Sequence, residues 1–223
     1  PKTPKPQTID TIKMEPTSHD KITVEPISIA KNLNTVFGAF DYSAENDLIA
    51  YASANLICIM TLEKQPKVLF TLNGHKDRVN SVRWLSKTCL LSVSADKTIR
   101  QWRCEGDVRN WDSWKNVQTV EAGTKSVNYL KVLKQEAFSF VLTGSLDGNI
   151  KLFTFAEQLE CVGQLSFGAN IQEAMALTVV ADDQLLITFG GYDKLIHVYR
   201  VTFDKSGKIS GAVTKSMKYL CSL

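Results

Sequence analysis

Three histidines in 223 residues, at His19, His75 and His197, are too thinly spread to suggest a metal cluster. The five cysteines, Cys58, Cys89, Cys104, Cys161 and Cys221, are odd in number and widely spaced. They form no C-x-x-C pair for zinc or redox work, so reduced thiols used in packing are expected. No run of about 18 apolar residues is present to span a bilayer, and the first residues carry no basic-then-apolar leader pattern. Asn-x-Ser/Thr acceptors are also missing. These absences set the expectation of a cytoplasmic chain, with the nucleus as a second location, and of no membrane association. Catalytic signatures are equally scarce. There is no G-x-S-x-G elbow, no H-E-x-x-H, no Walker sequence and no G-x-G-x-x-G, and Gly123-Thr124-Lys125-Ser126 is only superficially like a phosphate loop. No catalytic residue, cofactor, metal or small-molecule substrate is therefore expected, and His197 is read as a packing or rim residue.

What is present is an ordinary globular composition, 44% hydrophobic and 22% charged, enough to build a substantial core. Residues 1–26 stand apart. They hold five of the six prolines and four lysines balanced by four acids, which predicts a disordered or extended tail. Within that tail, Ile12-Lys13-Met14-Glu15 has the form of an acceptor for a ubiquitin-like modifier, with Lys13 the candidate, although so short a pattern also arises by chance.

From Ile27 onward the pattern changes to short apolar or alternating runs divided by polar turns, which read as strands in groups of four. The first is expected at Val36 to Phe40 and the last at Tyr219 to Leu223. No stretch keeps a helical apolar face for long, with Ile171 to Leu177 the one ambiguous segment. One frame recurs: Asp96, Ile99, Trp102, then Asp147, Ile150, Phe153, then Asp193, Ile196, Tyr199. Trp102 to Phe153 is 51 residues and Phe153 to Tyr199 is 46, while Ile57 and Met60 supply a first copy with Ala54 in the aspartate's place. That period suits four-stranded propeller blades. Side chains alternate along a strand, so Ile99 and Trp102 must face opposite sides of one sheet. Both faces then need cover, which a blade packed between two neighbours provides and a sandwich strand does not.

Gly74-His75 precedes Trp102 by 27 residues, and with Ser-x-Asp-x-x-Ile-x-x-Trp this resembles a WD40 repeat. The resemblance is strongest over residues 71–102. It implies an all-β WD40 β-propeller with about four blades visible, an incomplete seven-bladed ring, at about 27–72, 73–121, 122–168 and 169–223. It also implies a hydrogen-bonded structural tetrad at His75, Ser92, Asp96 and Trp102, a staple rather than an active site. Asp147 and Asp193 are the repeat-turn aspartates of blades without a preceding Gly-His. Leu72-Asn73-Gly74-His75, Leu165-Ser166-Phe167-Gly168 and Gly191-Tyr192-Asp193-Lys194-Leu195-Ile196-His197-Val198-Tyr199 further resemble the start of the family of second Elongator subunits. In that family a further Gly-His segment opens the next blade near the point where this chain reaches Leu223, so a fragment of a longer protein is expected. The resemblance implies a scaffold for the other subunits that supports tRNA wobble-uridine modification by the complex, with tRNA engaged indirectly; an unrelated WD40 adaptor is the alternative.

Charge and aromatics leave alternatives open. Residues 71–118 hold nine Lys/Arg against five acids and contain five of the six arginines, among them Arg78, Arg100 and Arg103. This is either a solvated face or a basic face for an acidic partner or for RNA, the last making the chain a nucleic-acid-binding module, and no aromatic stacking ladder accompanies it. Trp111 and Trp114, in the expected loop Glu105 to Asn116, are either exposed anchors for a protein partner or side chains folded back on the blade edge.

Overall fold

The computed structural model describes residues 33–36, 38–63, 66–167, 172–191, 195–204, 207–209 and 214–220. The expected tail at 1–26 with Lys13, as well as His19, Asp193 and Cys221, lies outside them. Among the described residues there are sixteen strands, one single-turn 3-10 helix at Trp111–Ser113 and no α-helix. Blade 1 comprises β1 (Phe40–Ser43), β2 (Leu48–Ser53), β3 (Leu56–Thr61) and β4 (Val68–Asn73). Blade 2 comprises β5 (Val79–Ser86), β6 (Cys89–Ser94), β7 (Thr98–Cys104) and β8 (Trp114–Glu121). Blade 3 comprises β9 (Val127–Lys134), β10 (Ser139–Ser145), β11 (Asn149–Phe155) and β12 (Leu159–Ser166). Blade 4 comprises β13 (Gln172–Ala181), β14 (Gln184–Gly191), β15 (Leu195–Thr202) and β16 (Thr214–Leu220). Each blade is an antiparallel sheet in chain order, and the first strands β1, β5, β9 and β13 neighbour one another from blade to blade.

Of the ambiguous segment at 171–177, residues 172–177 are the start of β13, and Ile171 lies outside the described residues. The first strand departs from expectation: it begins at Phe40, because Gly38 adopts φ +84° and the Ala39 N–H folds back onto the Val36 carbonyl at 3.2 Å. A left-handed residue inside a turn cannot continue an extended run.

Alternation along each strand feeds two different cores. Ile99 packs with Val127, Leu130, Val141 and Phe153 of blade 3, whereas Trp102 packs with Leu48, Ala50, Ile57 and Ile59 of blade 1. The rule repeats. Ile150 faces Leu185, Ile187 and Tyr199 of blade 4, while Phe153 faces back to blade 2. Strand β6 is buried at all six positions, which is the signature of a sheet covered on both sides. Burial of one such Ile or Phe stabilises the fold by about 1.5–3 kcal/mol.

A shared irregularity marks the same place in every blade. The third and fourth strands shift register between Ile59 and Met60, Gln101 and Trp102, Leu152 and Phe153, and Val198 and Tyr199. The extra residue on the outer strand is Leu69, Val117, Val162 or Ser216 in turn. Such a bulge bends the outer strand and increases its twist just where the large residue of the frame must fit, and it spoils a flat edge for pairing.

Candidate functional site

The polar constellation of blade 2 lies where the β4–β5 loop meets the β6–β7 turn. The Trp102 indole N–H donates to Ser92 Oγ at 2.8 Å, Ser92 O–H donates to His75 Nε2 at 2.7 Å, and His75 Nδ1–H donates to Asp96 Oδ2 at 2.8 Å. These directions follow from the network, since a serine that accepts from an indole has its own hydrogen left for the imidazole, which leaves Nδ1 as the donor. Asp96 is then saturated: the Thr98 hydroxyl donates to Oδ1 at 2.6 Å, the Thr98 N–H to Oδ1 at 3.1 Å, and the Lys76 N–H to Oδ2 at 3.0 Å. Burial works against the Asp96 charge, but the Thr98 hydroxyl, the Lys76 N–H and His75 together bring its pKa down to about 2. Burial likewise pushes His75 below its ordinary value, with Asp96 opposing and Arg100 assisting, so the ring is neutral at pH 7. Gly74 is required beside it, since a Cβ there would lie 2.9 Å from both the Arg100 guanidinium and the Trp102 ring.

The set is inaccessible. His75 is 2% exposed, Ser92 0% and Trp102 3%, so no substrate can reach the imidazole or the serine. A Ser-His-Asp triad needs a nucleophile open to substrate and no indole occupying its oxygen, and this arrangement has neither. Its chemistry is cross-linking of one loop, one turn and two strands.

In blade 3 the equivalent positions carry Thr124, Thr143, Asp147 and Phe153. Asp147 accepts from Thr124 N–H at 2.5 Å, Thr124 O–H at 2.8 Å and Asn149 N–H at 2.9 Å, and these donors hold it well below the usual carboxylate range despite partial burial. Thr143 is fully buried and its hydroxyl has no partner, because Phe153 offers no N–H and Thr124 does not reach it. In blade 4, whose turn residue Asp193 lies outside the described residues, the described side chains pack as an aromatic group. Phe189 stacks on His197 at 4.9 Å and on Tyr199 at 5.6 Å, both with 9° between planes, which places His197 in the packing role.

Arg100 and Arg103 do not share a face. Arg100 and Arg103 stand three apart on β7 and diverge: Arg100 Nη1 donates to Asn116 Oδ1 at 3.3 Å, and Arg103 Nη2 to the Glu157 carbonyl of blade 3 at 2.8 Å. Both are half-buried, whereas Arg78 is exposed with its Nε donating to Asn80 Oδ1 at 2.9 Å. The two loop tryptophans also separate. Trp114 opens β8 rather than lying in a loop; it is 7% exposed, packs edge-on against Trp84 at 5.7 Å and donates its N–H to the Val108 carbonyl at 3.1 Å. Trp111 is 64% exposed. Among the cysteines, Cys58, Cys89 and Cys104 are buried, but Cys161 is exposed on outer strand β12 and is not a packing residue.

Several positioning residues escaped the sequence reading. Asn80, fully buried on β5, reaches across to blade 3 and donates to the Val127 carbonyl, Ser126 Oγ and Asn128 Oδ1 at 2.9–3.0 Å. Asn34 makes the same reach from blade 1 to the Val79 carbonyl at 2.9 Å. The signal was the spacing Asn34, Asn80, Asn128, which tracks the blade period. Arg83 completes the joint, donating to the Gly38 and Phe40 carbonyls of blade 1 at 3.1 and 3.2 Å.

The WD domain, G-beta repeat family matches residues 66–103, the span that contains the complete staple. Residues 66–103 are a WD40 repeat, and the four sheets have the WD40 β-propeller fold. The WD40 fold is also that of solved structures: Sqt1 from Saccharomyces cerevisiae has a TM-score of 0.63 at 16% identity, covering 81% of this chain and 48% of that one. The WD40 β-propeller domain of Doa1 has a TM-score of 0.54 at 17% identity, covering 79% and 52%. Among curated proteins, Elongator complex protein 2 of Drosophila melanogaster is 30% identical over 171 residues, 73% of this chain. Elongator complex protein 2 of Dictyostelium discoideum is 29% identical over 207 residues, 80% of this chain. The chain spans 21% and 22% of the length of these two relatives.

Proposed function

We propose that this WD40 chain is a non-catalytic scaffold subunit of Elongator, supporting tRNA wobble-uridine modification by the complex while another subunit carries out the chemistry. The similarity to Elongator complex protein 2 over most of the chain supports membership. The observation that carries the scaffold reading is the burial of the His-Ser-Asp constellation of blade 2 behind an indole, which leaves its polar atoms for structure alone.

Trp111 is the anchor proposed for a neighbouring subunit. The loop around it is held by the Glu105 N–H to Ser113 carbonyl bond at 2.9 Å, the Asn110 cap on Asp112 N–H at 3.2 Å, and the Arg109–Glu63 pair at 2.8 Å that ties it to blade 1. A rigid loop that presents an exposed indole loses little conformational entropy when the indole is buried by a partner. Affinity purification of the tagged chain from native extract is expected to recover the other Elongator subunits, and Trp111→Ala to reduce that recovery by about tenfold or more. Isolation of the wild-type chain as an unaccompanied monomer overturns the reading.

A further inference from the structure

The loops that close the staple present a cationic rim to solvent. Lys76, Arg78, Lys97 and Lys125 are all exposed, and none forms an ion pair with a described residue. The backbone holds them in one group. The Lys76 N–H is bound to Asp96, the Ala95 N–H to the Arg78 carbonyl at 2.8 Å, and the Ala122 N–H to the Lys97 carbonyl at 2.9 Å. Arg78 bonds Asn80, which bonds Ser126 next to Lys125, and the Lys125 carbonyl accepts from Ser145 Oγ at 3.1 Å. Arg100 beside Gly74, and Lys151, whose Nζ donates to the Glu121 carbonyl, lie just beneath. Among the described residues of blades 2 and 3, four carboxylates share this end: Asp77, Asp96, Glu121 and Asp147. Asp96 and Asp147 are turned inward and saturated by turn donors, so the outward layer is mostly positive.

Lys97 carries a second sign of use. It adopts φ +74°, a left-handed conformation, where blade 3 places Gly148 at φ +82°. Glycine takes that conformation without strain and a lysine does not, so an exposed lysine held there is a strained residue with no packing reason for its identity.

We propose that this rim of blades 2 and 3 binds an acidic segment of a protein partner, with Lys76, Arg78, Lys97 and Lys125 facing its carboxylates. A protein is favoured over single-stranded RNA because the exposed aromatics among the described residues, Phe40, Tyr42 and Trp111, lie on β1 and in the 105–113 loop, leaving the rim no stacking platform. The inference is independent of Elongator membership.

The test is fluorescence anisotropy with a short glutamate-glycine repeat peptide and, in parallel, an oligouridine of equal length. The peptide is expected to bind at low salt and to be released as salt screens the rim. Lys97→Gly removes one cation while relieving the backbone, and with Lys76→Ser and Lys125→Ser it is expected to weaken peptide binding by about tenfold or more. Thermal unfolding of the triple variant distinguishes lost binding from lost fold. Lys87→Ser with Lys134→Ser, at the opposite end of the blades, leaves binding unchanged. No peptide binding at low salt, equal loss in the Lys87/Lys134 variant, or tighter binding of oligouridine than of peptide overturns the proposal.

Discussion

Blades 2 and 3 have the same strand order, the same turn aspartate and the same outer-strand bulge, yet they satisfy their buried polar groups differently. In blade 2 the hydroxyl of Ser92 lies between an indole and an imidazole and is used twice. In blade 3 the hydroxyl of Thr143, at the same position, is buried with no partner because Phe153 and Thr124 replace Trp102 and His75. The turn survives the replacement, since Thr124 supplies Asp147 with two donors. Closing the turn and stapling the strands are therefore separable tasks, and of these two blades blade 2 performs both with one connected network.

The comparison can be broken most strongly at Trp102. Trp102→Ala removes the indole between blades 1 and 2 and strands the Ser92–His75 pair, lowering stability by about 3–5 kcal/mol in urea denaturation. A milder Trp102→Phe converts blade 2 toward the pattern of blade 3 and separates the hydrogen-bond part from the packing part. Next comes His75→Ala, with a loss of about 2–3 kcal/mol, because Ser92 and Asp96 each lose a buried partner. The same residue sets a pH dependence. Its folded pKa lies below its ordinary value, so on acidification the unfolded chain takes up the proton first and stability declines as pH falls below about 6.5. Asp96 adds a second decline as pH falls from about 4 toward its folded value of about 2. Thermal melts across pH 8 to 5 read the first step, which is absent in His75→Ala.

A smaller contrast tests the orphaned hydroxyl directly. Ser92→Ala costs about 1–3 kcal/mol, whereas Thr143→Val changes stability by less than about 1 kcal/mol or raises it, because no bond is lost. Equal costs for the two would mean that Thr143 has a partner in solution. The smallest expected effect is at Lys97: Lys97→Gly gives blade 2 the residue type blade 3 already has at Gly148, and raises the melting midpoint by the equivalent of at most about 1 kcal/mol.

Much of the fold was legible because the period of alternation and the period of repetition agree. Runs such as Cys89–Ser94 are apolar or small on both faces, and only a sheet covered twice accepts them. The staple residues were legible for a similar reason: a Gly-His loop, a serine, an aspartate turn and a tryptophan at set offsets must meet once the hairpins form. Trp111 and Trp114 were not separable by sequence, since one lies 64% exposed and the other 7% exposed only because Trp84 and the Val108 carbonyl, brought from elsewhere, capture Trp114. Arg100 and Arg103 are close in sequence but diverge in space, and their proximity carried no information about a shared face.

The sequence by itself determined four blades and the direction of each side chain, because strand period and repeat spacing are local properties. Tertiary structure alone decided which of those side chains found partners. Ile99 is fully buried because blade 3 covers it, and Ile150 in the same place of blade 3 because blade 4 covers it. Equivalent sequence positions are filled by the same strand geometry, but burial and hydrogen bonding depend on atoms that arrive from other blades.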